Sequence, residues 1–195
     1  MKAKFLKIVI ATLFFSVLLH VVSFIPEVLA DSQFSVSLDY SFTFQDNGVA
    51  NVSQKVTSKN LTDNYYASEY IITVHNKNVT NVSGSDGLGS INVTSETDNE
   101  STIIKAKLHQ LVVGLNKSVT FTINYSTDSF AIKRGKIWDV SIPQIETSED
   151  VASYQVTIAV PGSFGKLVKI TPTPVSQSET GGAKTYVFTK DTLNN

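Results

Sequence analysis

The chain has 195 residues, with 16 Lys and Arg against 17 Asp and Glu, and no cysteine. That length supports one ordinary domain or two small ones, with enough chain to bury a core without staples. The missing thiols exclude a cysteine nucleophile, a disulfide framework and a thiolate metal site within this chain, and they tilt the source toward a bacterium or archaeon, because exported eukaryotic domains commonly use disulfides.

Lys2, Lys4 and Lys7 precede an apolar run from Ile8 to Ile25, interrupted only by Thr12, Ser16, His20 and Ser23 and followed by Pro26, Glu27 and Val28-Leu29-Ala30. Charge first, apolar run second and a small residue last is the order of a signal peptide, so residues 1–30 read as a leader helix cut between Ala30 and Asp31. The rival is an uncleaved anchor, since the run is near the roughly 18 residues at which a segment becomes a membrane-span candidate. Both readings export the chain to the cell envelope or beyond, with membrane contact only through the N-terminal segment. Losing three Lys and Glu27 leaves 13 basic and 16 acidic residues, a mature net charge of −3. A nucleic-acid binder needs clustered Lys and Arg to replace counterions, whereas here they are scattered, with Arg134 the single Arg.

From Phe34 the pattern changes to period two. Phe34, Val36, Leu38, Tyr40, Phe42 and Phe44 alternate with polar residues, which is the pattern of a strand with one buried face. Asp46-Asn47-Gly48 tolerates positive φ, and the run through Val49, Val52 and Val56 follows, so a hairpin is expected. Further strands are marked by Tyr66, Tyr70, Ile72 and Val74; by Val79 and Val82; by Ile91 and Val93 after a Gly-rich turn at Gly84–Gly89; and by Ile104, Ala106 and Leu108. Strict alternation returns at Val119, Phe121, Ile123 and Tyr125 and at Tyr154, Val156, Ile158 and Val160. Between these runs, Trp138, Val140 and Ile142 share one face of a strand ended by Pro143. Val175–Gly182 reads as a solvated loop before a last strand at Tyr186 and Phe188. The sum is about nine or ten strands, no amphipathic helix after Ala30, and an all-β antiparallel β-sandwich over 31–195. Trp138, Phe121 and Tyr154 are its expected core anchors, Trp138 by packing rather than as a ligand platform.

The chemistry-bearing residues are sparse. His20 leaves with the leader, and His75 and His109 read as ordinary strand-end polar residues without zinc-ligand spacing. Asp46, Asp63, Asp86, Asp98 and Glu100 fall in predicted turns, and none follows a calcium-loop spacing. Gly162-Ser163-Phe164-Gly165 has the wrong spacing for a nucleophile elbow. Eight Asn-x-Ser/Thr triplets begin at Asn51, Asn60, Asn78, Asn81, Asn92, Asn99, Asn116 and Asn124. In four of them the middle residue is an inward Val, so strand alternation in an Asn- and Thr-rich chain produces them without glycosylation. No catalytic, cofactor or metal residue is assigned, and no cofactor is expected.

Three stretches stand out together: the strand ending in Asp46-Asn47-Gly48, the element Gly135-x-Ile137-Trp138-Asp139-Val140-x-Ile142-Pro143, and Val160-Pro161-x-x-Phe164-Gly165 followed by Pro172. In combination they resemble the N-terminal β-domain of bacterial secreted or membrane-anchored transglutaminase-like proteins, a likeness that covers most of Phe34–Phe188. The resemblance implies a β-domain placed ahead of a papain-like catalytic domain with a Cys-His-Asp triad. With no cysteine here, no catalytic residue carries over. The chain is then either the front part of a longer protein or a stand-alone relative that kept only the scaffold. The function expected is a non-catalytic extracytoplasmic β-domain that positions a downstream transglutaminase-like domain, its partner being that C-terminal domain or another cell-envelope protein. The alternative is a stand-alone surface adhesin or carbohydrate-binding module in which Tyr65 and Tyr66 stack on sugar rings.

Overall fold

The computed structural model describes residues 32–76, 78–143 and 151–193. The leader, its cut between Ala30 and Asp31 and the acidic stretch 144–150 lie outside the described residues.

Strands β1 (Phe34–Phe44) and β2 (Ala50–Asn60) pair without a break from Phe34 opposite Asn60 to Phe44 opposite Ala50. Their even-numbered residues face inward, as the alternation requires. The turn between them closes with Gln45 N–H donating to the Val49 carbonyl and Gly48 N–H to that of Gln45. Gly48 has φ +91, and a Cβ there would stand 2.7 Å from the Trp138 ring. Two independent constraints, backbone conformation and space, therefore fix glycine at this position.

The following elements are β3 (Tyr66–Val74), β4 (Val79–Asp86), β5 (Gly89–Ser90), β6 (Asn92–Thr97), β7 (Thr102–Val113) and β8 (Ser118–Thr127). Then come β9 (Ala131–Arg134), β10 (Ile137–Val140), β11 (Val151–Pro161), β12 (Ser176–Thr180), β13 (Ala183–Thr189) and a terminal helical turn α1 (Lys190–Leu193). The protein is all-β and sandwich-like. An eight-stranded sheet in the order β12-β13-β11-β1-β2-β8-β4-β5 is faced by a three-stranded sheet β3-β7-β6, and β9 and β10 form a separate ribbon. The core lies between the sheets, where Leu38, Phe42, Val52, Val56, Phe121, Ile123, Tyr154, Val156 and Phe188 from the large sheet and Ile104 and Ala106 from the small one are buried. Each large apolar side chain so enclosed stabilises the fold by roughly 1.5–3 kcal/mol. Across the gap Tyr70 meets Phe121 edge to face at 5.1 Å, and Gln54 donates from Nε2 to the Tyr70 hydroxyl at 3.3 Å.

The thirteen strands among the described residues exceed the nine or ten that alternation marks. The additional ones are β5, β9 and β12, which are very short or exposed on both faces and so carry no period-two signal. The polar segment expected as a loop contains β12, an edge strand joined to β13 through Gly181 and Gly182, both with positive φ. That is the two-residue hairpin turn that glycine pairs favour. Gly84 lies in β4 rather than in a turn. A Cβ there would come within 2.9 Å of Val93 and Ile91, so its role is close packing between strands. One pairing departs from the antiparallel expectation: β1 runs parallel to β11, with Leu38 opposite Tyr154 and Phe42 opposite Ile158. A parallel pair needs a long crossover. Everything between β1 and β11 supplies it, so no local sequence signal announces the pairing.

The three stretches that carry the family resemblance converge at one end of the large sheet. Trp138 of β10 stacks on Phe164 with centroids 4.3 Å apart and planes 9° from parallel, and Phe164 leans on Phe44 at 6.0 Å. Phe164 belongs to a 3₁₀ turn (Gly162–Phe164) that follows β11, and the neighbouring Ser163 donates to Asp46 at 2.6 Å. Trp138, Val140 and Ile142 are half-buried, while Ile137 and Asp139 face out. The Lys133 ammonium sits 5.5 Å from the Trp138 ring. These motifs act as a latch joining the β1–β2 turn, the β9–β10 ribbon and the end of β11.

Candidate interaction surface

At the far end of β2, Asn60 is fully buried, with 0% exposure. Its Nδ2 donates to the carbonyls of Tyr65 at 2.7 Å and Val112 at 2.9 Å, and its Oδ1 accepts from the Thr62 N–H at 2.9 Å and hydroxyl at 3.2 Å. One amide thus ties the β2–β3 connection to the end of β7. Asp63 Oδ1 accepts the Leu115 N–H at 2.9 Å, and Asn116 donates its N–H to the Asn60 carbonyl at 2.8 Å. Around this corner apolar side chains face outward. Tyr65 is 51% and Tyr66 62% exposed; Leu61, Leu111, Val113 and Leu115 are exposed beside them, and Tyr66 pairs directly with Val113. The result is an apolar rim on a backbone held in place before any partner arrives. Preorganisation of that kind lowers the entropic cost of association.

β7 carries a large bulge just before this rim. Glu69 pairs with Lys107 and Ala67 with Val112, so Leu108, His109, Gln110 and Leu111 stand against Ser68 alone. Asp86, at the end of β4, holds the bulge: its Oδ1 accepts His109 Nδ1 at 2.9 Å and the Leu88 N–H at 2.8 Å, and its Oδ2 accepts the His109 N–H at 3.3 Å. The Asp86 side chain is 3% exposed and that of His109 40%. The His109 bond, chiefly, holds the Asp86 carboxyl below the usual carboxylate range.

The other residues singled out in the sequence do not assemble. His75 follows β3 at the opposite end of the small sheet from His109, next to the Val74–Thr102 pair. Asp46 accepts from Ser163, Asp63 from Leu115, and Asp98 from the N–H groups of Glu100 at 2.8 Å and Ser101 at 2.7 Å. Those N–H bonds lower the Asp98 carboxyl below its ordinary range. Asp98 thus serves its own turn, while Asp46 and Asp63 each tie their loop to a distant segment, and among the described residues no three His, Asp or Glu side chains come together. The Asn-x-Ser/Thr triplets acquire a structural use on the outer face: Ser126 donates to Asn51 at 3.0 Å, and Asn81 donates to Ser126 at 3.3 Å, forming a ladder across β2, β8 and β4. Phe121 and Tyr154 are buried in the core and Trp138 half-buried in the latch. Of the rim, the sequence singles out only Tyr65 and Tyr66; the ties through Asn60 and Asp63 and the Asp86–His109 contact escape sequence reading, because their members lie 23 to 52 residues apart and meet only through sheet packing.

No family model matches the sequence, and no curated protein matches it. Solved structures are similar in fold. A two-domain M1 zinc metallopeptidase bound to L-tryptophan superposes with a TM-score of 0.51 at 11% identity, over 82% of this chain and 40% of that one. The M1 zinc metallopeptidase of Deinococcus radiodurans gives a TM-score of 0.48 at 12% identity, over 80% of this chain and 39% of that one. The chain thus spans about two fifths of the length of these peptidases. At such identity the likeness is one of architecture, and function has to be argued from the site.

Proposed function

We propose that this chain is a non-catalytic extracytoplasmic β-domain that scaffolds a second domain, of the transglutaminase-like class its motifs resemble, and that it receives that domain on the rim of Leu61, Tyr65, Tyr66, Leu111, Val113 and Leu115. The observation that carries the reading is the rim itself. Six exposed apolar side chains stand on a backbone fixed by the buried Asn60, an arrangement that serves contact and no bond chemistry. The fold supports it, since the same architecture occurs as a 40% portion of a two-domain peptidase. Export follows from Lys2, Lys4 and Lys7 ahead of the apolar leader. The test has two parts. The reading frame after Asn195 should continue into a domain containing Cys and His, and the purified chain from Asp31 should not turn over a glutamine-donor and amine-acceptor pair, a peptide or an ester. A stop codon directly after Asn195, or turnover abolished by His109→Ala or His75→Ala, contradicts the proposal.

A second reading is favoured by the exposure of Tyr65 and Tyr66, whose rings could stack on sugars in a stand-alone adhesin. Saturable binding of a neutral oligosaccharide, lost in Tyr65→Ala and Tyr66→Ala, would select it.

A further inference from the structure

The Asn-x-Ser/Thr triplets are more frequent than composition explains. Ser and Thr make up 43 of the 195 residues, so about three of the 13 Asn would meet one two places on by chance, whereas eight do. The structure gives six of the eight a local reason. Asn60 is the buried tie of the β2–β3 connection, Asn51 accepts from Ser126, and Asn78 donates to Asp128 at 3.2 Å. Asn81 and Asn116 have φ of +54 and +64, the left-handed region that Asn tolerates better than most residues. Asn124 is half-buried on β8, between Ser53 and Ser83. Asn92 and Asn99 are left. Both are exposed, and neither side-chain amide makes a hydrogen bond among the described residues. Alternation explains why a polar residue faces outward at Asn92 but not why it is Asn, a residue depleted in strands, and it does not reach the turn that holds Asn99.

The two flank one element. Asn92 opens β6 opposite Lys107, and Asn99 lies in the turn from β6 to β7, just past Thr97. The strand between them, about 17 Å long, is an edge of the small sheet, and after Val93 all of its residues are exposed. The usual guards of an edge strand are missing from it. Its pairing with β7 has no bulge, it holds no Pro, and its one charged residue, Glu96, is engaged by Lys105 at 3.6 Å.

We infer that Asn92 and Asn99 are N-glycosylation sites whose two glycans screen the free edge of β6 against pairing with another chain. The co-reactant is an oligosaccharide carried on a lipid phosphate of the cell membrane. Asn Nδ2 forms the new bond to C1 of the first sugar, and the C1–O bond to the lipid phosphate breaks with its electron pair staying on the phosphate. One Nδ2 proton passes to a base of the transferase, so the side chain remains an amide and nothing is oxidised or reduced. Thr94 and Ser101 supply the hydroxyls two places on that complete each acceptor triplet, and Thr94 is exposed. A bulky, solvated glycan at each end of so short a strand keeps a second chain from laying its backbone along it.

The inference rests on the reading that the chain is exported, because the lipid-linked donor is used on the far side of the membrane. The experiment expresses the full chain from its own gene in the organism that encodes it, fractionates the cells, and maps the peptides by mass spectrometry. In the exported fraction the peptides spanning Asn92 and Asn99 should carry saccharide mass localised to those two residues. Asn92→Gln and Thr94→Ala should each abolish the first glycan, Thr94→Ser should retain it, and Asn99→Gln should abolish the second. The Asn92→Gln/Asn99→Gln double variant, its fold verified by native Trp138 emission, should self-associate at least tenfold more tightly than the wild type in sedimentation. Bare Asn92 and Asn99 in exported protein overturn the inference while the export reading stands, and equal self-association of the double variant and the wild type overturns the screening. Protein found only in the cytosol, bare and with residues 1–30 still attached, overturns the export reading and the glycans together.

Discussion

Replacing Trp138 by Ala tests the latch directly. A fully buried aromatic costs about 3–5 kcal/mol to truncate. Trp138 is only half-buried, so its area contributes less, but its stack on Phe164 at 4.3 Å adds roughly 0.5–1.5 kcal/mol and Lys133 over the ring about 0.5 kcal/mol more. The expected cost of Trp138→Ala is therefore about 2–3 kcal/mol, a fall in Tm of roughly 5–10 °C for a domain of this size. Urea unfolding followed by circular dichroism measures it, since the substitution removes the fluorophore. A double-mutant cycle with Phe164→Ala isolates the stack and should return a coupling of about 1 kcal/mol. A loss below about 0.5 kcal/mol for Trp138→Ala, or no coupling to Phe164, would refute the latch and leave the β9–β10 ribbon unattached to the β1–β2 turn.

Gly48→Ala should destabilise by about 1–3 kcal/mol, because φ +91 and the Trp138 ring 2.7 Å away both oppose a Cβ; equal stability in urea would contradict this. Asn60→Ala strands the carbonyls of Tyr65 and Val112 and the Thr62 N–H, and should cost about 2–4 kcal/mol, read by the same assay, with exchange protection lost first around Tyr65 and Val112. The pH profile has two falling edges. Asp86 and Asp98 titrate below their ordinary range in the folded state, so the stability they contribute is present above the unfolded carboxylate value of about 3.9 and is lost as pH drops through their lower folded values. Burial pushes Tyr125 up to about 12 and Tyr40 higher still, so the stability from keeping them neutral is intact below about pH 10 and is lost as pH rises through the folded values. Urea midpoints measured from pH 3 to 12 should trace a plateau between these edges.

Much of the fold is legible because period two records which face of a strand is buried. Phe34 to Phe44 alternate, and in the strand they form Leu38, Phe42 and Phe44 are buried while Asp39 and Thr43 are exposed. The parallel partner of that strand is not legible, because Leu38 and Tyr154 meet only after the chain has built both sheets. Nor is Ser176–Thr180, whose two faces are both solvated and whose only sign is the pair Gly181-Gly182. Motifs are read more reliably as packing than as function: Gly48, Trp138 and Phe164 prove to be neighbours in one latch. The rim was reachable only in fragments, through Tyr65 and Tyr66. Its foundation, Asn60, stands in the sequence only as one of eight Asn-x-Ser/Thr triplets, and the backbone carbonyls it meets explain its burial.

The central claim is that the rim receives a second domain. The direct measurement is calorimetric titration of the chain from Asp31 with the domain encoded next in its reading frame, produced as a separate protein, using the wild type and a Leu111→Ser/Val113→Ser variant whose fold is verified by native Trp138 emission. The account predicts saturable binding by the wild type and at least a tenfold weaker affinity in the variant, about 1.4 kcal/mol at 25 °C. Equal affinity of the two proteins, or no binding by either, would contradict it.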